Sequence, residues 1–460
     1  MKLKSFFLST RVDQNNMYRF IVGMCFKNAS FKNKENIELK QIRLIKKPSV
    51  KFLLFVFFCS LKGNFFKKEK ISKIKYKNIR IGKYIISTTF KDHLSYLSKF
   101  TFALNVIKNT LKSSFYINTA EYYYKNLDFK NVYLDHVYYL NGIYFDYFAC
   151  RKKIIYTNDY PGSIYKIDFQ SLKNRKILYY ENFLRIKFLL NNFSEKEKEK
   201  ILNIRNNILG NKNHFRWIKN VKTTNIKKNT NLKKYDYIIY THSFTDAQHI
   251  FGHSAFVNTL DWLIFTIKKL LKNNKKIIIK CHPSFKDKFD VNINDQIIFT
   301  KYLKKYINDP NIFIMDEPYL NKSLIAHLNS KCIAITHHGT VSLEMMQNNF
   351  KVISSNCCIW DKKYKLTNCW STKHQYLKLL NSNWDDLKFH NNRHFQNILF
   401  NLFCGKKTHF SQNEHVKIVL KYLKKNISSE QGNNFDLMKR VNKKTFIKII
   451  SHHKLAIDYK

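Results

Sequence analysis

Three short stretches of the chain hold residue types able to grip a phosphate and move a proton. The fullest is Thr336-His337-His338-Gly339-Thr340-Val341-Ser342-Leu343-Glu344. An apolar run over residues 332–336 ends there, Gly339 permits a tight turn, and Thr340 opens a helix. The first amides of a helix lack intrahelical partners and carry partial positive charge, which suits a phosphate. Thr340 can cap the helix or offer its hydroxyl to the phosphate. Ser342 lies in the same first turn, and His338 flanks it. Glu344 faces back toward the turn and can accept from two ribose hydroxyls. Gly339, Thr340, Ser342, Glu344 and His338 are therefore the candidate nucleotide-binding set. The plainer alternative is a capped helix with no ligand.

The second stretch is Lys280-Cys281-His282-Pro283, after the run KIIIK. Lys280 can hold a phosphate as a point charge. His282 can hydrogen-bond a phosphate oxygen or protonate it as it leaves. Pro283 removes a donor and fixes the chain direction. The alternative is a strand-ending surface pair. The third stretch runs from Thr241 to His253. Asp246 is the natural general base for an acceptor hydroxyl, with His242 and His249 as alternatives or substrate contacts. His249 and His253 have the spacing of a metal pair on a helix, but Gly252 lies between them and no carboxylate follows at a suitable distance. No metal site is expected, and no cofactor beyond the donor itself. In the first half, His136 beside Asp135, and Asp159 within Asn158–Gly162, are candidate substrate contacts, against ordinary turn chemistry. Asp316 and Glu317 read as helix-start capping.

These residues need a frame. From residue 235 the chain alternates apolar runs with helical periods. Strands are expected over 235–240, 276–280, 312–315, 332–336 and 351–354, and helices over 256–271, 321–328 and 340–347. Parallel α/β sheets bind ligands outside the carboxyl ends of their strands, where each of these unusual residues falls. The first half shows a similar rhythm. Strands are expected over 50–59, 79–88, 114–118, 131–135 and 153–157, and helices over 100–111 and 138–150. A charged helix over 194–209 opens with a Ser194–Glu197 capping pattern.

The 460-residue length suits two domains, and a 44% hydrophobic fraction can fill two cores. The expected division is an unassigned segment 1–45, an acceptor domain 46–218, a linker 219–234, a nucleotide-sugar domain 235–400 and a helical segment 401–460. The formal net charge is +50. Lysines spread along the chain, together with abundant Asn, Ile, Phe and Tyr, read as AT-rich compositional drift. Such a surface still attracts anionic headgroups and anionic substrates. The cysteine count is nine, an odd number, with an adjacent Cys357–Cys358 pair that cannot bond without strain, so free thiols in a reducing compartment are expected. Phe6 to Leu8 is too short for a secretory core, and the run 52–59 is far short of the ~20 residues that span a bilayer. A cytoplasmic protein is expected, with a peripheral seat at the inner membrane as its furthest reach.

His242-Ser-Phe-Thr-Asp246-Ala-Gln-His249, Asp261-Trp262-Leu263, Lys280-Cys-His282-Pro283 and Gly339-Thr340 with Glu344 resemble the bacterial capsule polysaccharide biosynthesis family, which includes Kdo (3-deoxy-octulosonate) transferases. Bacterial sialyltransferases are similar in their His-Pro pair and hydroxyl pair around a CMP phosphate. The resemblance covers the later part of the chain. His337-His338 stands where smaller residues are usual, and the first half matches loosely. The resemblance implies a GT-B fold: α/β, with two Rossmann-like domains facing across a cleft. It places His282, Gly339, Thr340 and Glu344 on the nucleotide. It implies a glycosyltransferase moving a sugar from a nucleotide donor to a hydroxyl of a glycan or lipid-linked glycan. The alternatives are a CDP-polyol phosphotransferase of the same fold, a glycan-binding relative without activity, and a basic nucleic-acid-binding protein. No RRM, KH or zinc pattern supports the last of these.

Overall fold

A computed structural model describes residues 5–9, 37–41, 47–65, 67–127, 131–134, 139–159, 163–167, 231–246, 255–282, 285, 293–316, 321–339, 341–358 and 365–390. The first half contains β1 (Ser5–Ser9), β2 (Ile37–Gln41), α1 (Val50–Leu61), α2 (Lys68–Ile71), α3 (Gly82–Lys91), α4 (Leu94–Leu97), α5 (Lys99–Asn126), β3 (Asn131–Leu134), α6 (Gly142–Ala149), β4 (Ile154–Asp159) and β5 (Ser163–Ile167). The second half contains β6 (Tyr237–Tyr240), α7 (Thr259–Lys272), β7 (Ile277–Lys280), α8 (Ile293–Leu303), β8 (Ile312–Met315), α9 (Asn321–Ile325), β9 (Ile333–Thr336), α10 (Val341–Gln347), β10 (Val352–Ser355), β11 (Asn368–Trp370) and α11 (Lys373–Asn381).

Each half builds one open sheet, as the α/β, Rossmann-like expectation requires. The second has six strands in the order β11-β10-β9-β6-β7-β8, parallel at every pairing. Numbered within that half, this is the 3-2-1-4-5-6 order of the doubly wound dinucleotide-binding fold, read from the other edge. The order reverses between β6 and β9, the switch point at which sheets of this order generally open a crevice. The first sheet runs β2-β1-β3-β4-β5, parallel except for the β4–β5 hairpin. That is the other common doubly wound order. Segment 1–45, unassigned from sequence, supplies two of its strands.

The second sheet is buried on both faces, so its strands read as apolar runs. Ile239, Ile277, Ile279, Ile333 and Ile335 face α7, α8 and α11. Ile238, Ile278, Ala334 and Val352 face α9 and α10. Asn258 caps α7 by accepting from the Asp261 amide, and Thr372 with Gln375 forms a capping box on α11.

Three first-half expectations are corrected. Residues 50–59 form helix α1, capped by Ser49. Residues 82–88 are helical in α3, whose start needs glycine because a Cβ on Gly82 would lie 1.9 Å from the Ile71 carbonyl oxygen. Residues 114–118 continue α5, a helix of 28 residues. The helix expected over 194–209 and residues 219–230 of the expected linker lie outside the described residues.

Candidate functional site

The site residues sit at the carboxyl ends of three neighbouring strands, β9, β6 and β7. Register fixes their rows: Tyr240 pairs with Lys280 on one side and Thr336 on the other. In a parallel sheet, paired residues point to the same face. Lys280, Tyr240 and Thr336 thus form one row, with His282, His242 and His338 just beyond it.

At the β6/β9 switch point the chain closes a small hydrogen-bonded knot. The backbone amide of His338 donates to His242 Nε2 at 3.2 Å, so that nitrogen carries no proton. Thr336 Oγ1 lies 3.1 Å from the same nitrogen and also accepts from the Gly339 amide at 3.3 Å. The Thr336 hydroxyl therefore donates to His242, and the neutral ring keeps its proton on Nδ1. The His242 and His338 rings stack 4.0 Å apart at 15°. His337 Nδ1 lies 2.8 Å from His338 Nδ1, and the buried His337 ring is edged by Trp262 and Trp370. Ser355 holds the His337 carbonyl with its amide and its hydroxyl. The paired histidines that sequence alone left unexplained thus give the turn its rigidity.

Gly339 is required for space and not for backbone angle. A Cβ there would meet Thr336 Oγ1 at 2.9 Å and His242 Cε1 at 3.1 Å. Ser342 is fully buried, and its hydroxyl donates to the Gly339 carbonyl at 2.9 Å. It braces the turn in the ligand-free chain. Helix α10 covers Val341–Gln347, close to the expected 340–347. Thr340 lies outside the described residues.

A buried positive charge comes from β7. Lys280 is 4% exposed, and burial pulls its ammonium down to about 8, partly offset by the field of Glu344. Among the described residues it has no ion-pair partner, and the Tyr240 ring lies 5.8 Å away. Burial of a cation that only the more distant Glu344 carboxylate offsets is costly, and a ligand anion in direct contact lowers that cost. Glu344 accepts a short hydrogen bond from Asn321 on α9. The His282 amide donates to Thr241 Oγ1 at 2.9 Å, which ties the ends of β6 and β7 together. Burial pushes the His282 imidazole down to about 4, against the pull of Asp246. His242 is held well below the ordinary histidine range by burial and by the neighbouring histidines. Both rings are neutral at pH 7. In the ligand-free chain a neutral His282 ring can offer a hydrogen bond through a protonated nitrogen.

Asp246 is exposed, and Tyr139 of the first half donates to it at 3.4 Å. Its loop is held by a residue the sequence reading did not single out. Asp295, 1% exposed at the start of α8, accepts from the Phe244 amide at 3.0 Å, the Thr245 amide at 3.2 Å and the Thr245 hydroxyl at 3.2 Å. Burial raises its carboxyl to about 7. Tyr96 of α4 donates to the Phe244 carbonyl, and Tyr302 of α8 donates to the Tyr96 carbonyl. The first half thus reaches the loop that carries Asp246. An acidic first turn, Asn294-Asp295 before Ile297 and Ile298, was the only signal for Asp295.

Asp159 ends β4 opposite Ser163, in the first sheet. His136 and His249 lie outside the described residues. Among the described residues, no group of three or more His, Cys, Asp and Glu gathers as a metal-holding set, and no helix is long and apolar enough to cross a membrane.

No protein-family model matches the chain, and no curated protein matches it. Among solved structures it is similar to the KpsC β-Kdo 2,4 transferase of Thermosulfurimonas dismutans, with 11% identity, 60% of this chain and 79% of that chain covered, and a TM-score of 0.36. It is similar to the UDP-GlcNAc 2-epimerase of Methanocaldococcus jannaschii, with 14% identity, coverage of 87% and 99%, and a TM-score of 0.29. It is also similar to the α,α-trehalose 6-phosphate synthase of Burkholderia multivorans, with 7% identity, coverage of 99% and 100%, and a TM-score of 0.26. With every one of these TM-scores below 0.5, the fold of this chain is defined by its own strand order: an α/β protein with two doubly wound sheets.

Proposed function

We propose that the chain is a glycosyltransferase that takes a sugar from a nucleotide donor and passes it to a hydroxyl of a surface glycan or lipid-linked glycan. One observation carries the reading. A buried ammonium, Lys280, with no ion-pair partner among the described residues, lies beside the switch point of a doubly wound sheet, where that fold opens a crevice to a nucleotide.

In this reading the donor phosphate lies against Lys280 and the Gly339 turn, with Glu344 toward the ribose. His282 offers a hydrogen bond to a phosphate oxygen. Asp246 removes the proton from the acceptor hydroxyl. The new bond forms at the anomeric carbon as the bond to phosphate breaks, and the leaving electron pair goes to the phosphate oxygen. Lys280 and His282 are already in place where that charge develops, which is the arrangement that lowers such a barrier most. Asp246 acting as a base implies inversion, and a product that retains configuration removes Asp246 from that role. The proposed setting is the cytoplasmic side of the cell, with no metal or other cofactor. The resemblance to Kdo transferases favours a CMP-linked acidic sugar as donor, and a basic surface favours any anionic donor.

The test has two steps. A thermal-shift screen against CMP, CDP, UDP and GDP reads which nucleotide stabilises the native chain. Turnover with the matching nucleotide sugar then reads the product. Release of the free nucleotide with a new glycosidic bond supports the proposal. Release of CMP with a new phosphodiester establishes a polyol phosphotransferase instead. His282→Ala and Glu344→Ala should each lower turnover at least ten-fold with the melting temperature unchanged, and full activity in both removes the site assignment.

A further inference from the structure

Helix α1 turns an apolar stripe to solvent. Val50, Leu53, Leu54, Phe57, Phe58 and Leu61 are exposed by 73, 44, 51, 57, 55 and 67%. Their spacing is that of one face of an α-helix. The opposite face, Phe52, Val56 and Cys59, is buried in the core of the first half. Surface helices ordinarily pair one buried apolar face with a polar outer face, and α1 is apolar on both. A continuous outward patch of this kind marks an interaction surface.

Charge identifies what covers it. Residues 39–68 contain no Asp or Glu and eight Lys or Arg. Lys47 and Lys51 at the start of α1 and Lys62 at its end are exposed beside the stripe. A second copy docked here would bring two wholly basic segments together, which opposes association. An anionic bilayer matches both features. Leu and Phe side chains enter the boundary between headgroups and acyl chains, while lysine stems reach back so that their ammonium groups meet lipid phosphates. At 12 residues α1 is about 18 Å long, well short of the ~30 Å hydrocarbon core, so it lies in the plane of the surface. We infer that α1 is a docking helix for an anionic phospholipid surface. This inference is independent of the reaction proposed above.

The experiment is sedimentation of the full chain with vesicles of phosphatidylcholine alone or with about 30 mol % phosphatidylglycerol. It is repeated at about 0.5 M NaCl, where charges are screened beyond about 4 Å. The wild type is expected to bind the anionic vesicles and to keep a measurable fraction bound in high salt through the apolar stripe. Phe57→Ser with Phe58→Ser should cut the high-salt fraction about ten-fold at unchanged melting temperature, and Lys51→Glu with Lys62→Glu should cut the low-salt fraction. A Phe58→Trp reporter should be quenched by lipids with brominated acyl chains beyond the level of the wild type. The inference is overturned by any of three results. The wild type ignores both vesicles, the serine pair binds as well as the wild type in high salt, or light scattering shows a wild-type dimer that the serine pair dissolves.

Discussion

Raising the pH from 7 to 9 should titrate Lys280, the proposed phosphate contact, and leave the neighbouring imidazoles unchanged. Lys280 is pulled by burial to about 8, His282 to about 4, and His242 well below the ordinary histidine range. Both imidazoles are therefore neutral throughout this window. A bound phosphate restores the Lys280 ammonium, so binding must take up a proton whenever the free lysine has lost one. The free ammonium falls from about nine-tenths at pH 7 to about one-tenth at pH 9, and nucleotide affinity should fall about ten-fold with it. Lys280→Met should bind about 10- to 100-fold more weakly at pH 7, the ~1.5–3 kcal/mol of a charged hydrogen bond, and show no further loss up to pH 9. Isothermal titration of the nucleotide chosen by thermal shift, in two buffers of different ionisation enthalpy, reads both affinity and proton uptake. A flat wild-type profile, or a methionine variant that still loses ten-fold, refutes the placement of phosphate on Lys280.

Three further outcomes follow from single contacts. Gly339→Ala must displace Thr336 or His242, both already held by hydrogen bonds, and should cost about 1–3 kcal/mol in stability and abolish the nucleotide-induced melting shift. Asp295 has a folded pKa raised to about 7 from an unfolded value of 3.8, so its stabilising effect is complete below the unfolded value and is lost as pH rises through 7. That loss is about 2 kcal/mol between pH 5 and 7. Asp295→Asn keeps an oxygen for the Phe244 and Thr245 donors and should remove that slope in denaturant unfolding, whereas an unchanged slope shows that another group titrates. Tyr96→Phe removes the donor it aims at the Phe244 carbonyl and should lower stability by about 1–3 kcal/mol and lower turnover, with nucleotide affinity retained. Loss of affinity in calorimetry would place the Asp246 loop on the nucleotide and not on the acceptor.

The second half was legible because buried parallel strands announce themselves. YIIY, IIIK and IAIT are short, mostly apolar runs with no polar alternation, and the reactive residues follow at their ends. The first half was misread where that same signal has another cause. Residues 50–59 are almost entirely apolar because α1 is apolar on its outer face as well as its inner one, which erased the helical period. The Ile85-Ile86-Ser87-Thr88-Thr89 stretch favours a strand by local propensity, but packing of α3 against α5 overrides it. Within the site, Lys280, Gly339 and Glu344 stood out by type and position. The roles of Asp295, Thr336 and Tyr96 depend on partners 50 to 51, 94 and 148 residues away, which no local pattern records.

The central claim is most directly tested by a crystal structure of the chain with the nucleotide that gives the largest melting shift. The account predicts a phosphate oxygen about 3 Å from Lys280 Nζ, within reach of the Gly339 turn, at the carboxyl ends of β6, β7 and β9. A nucleotide seated at the first sheet, or on any surface that leaves Lys280 buried and unpaired, would contradict it.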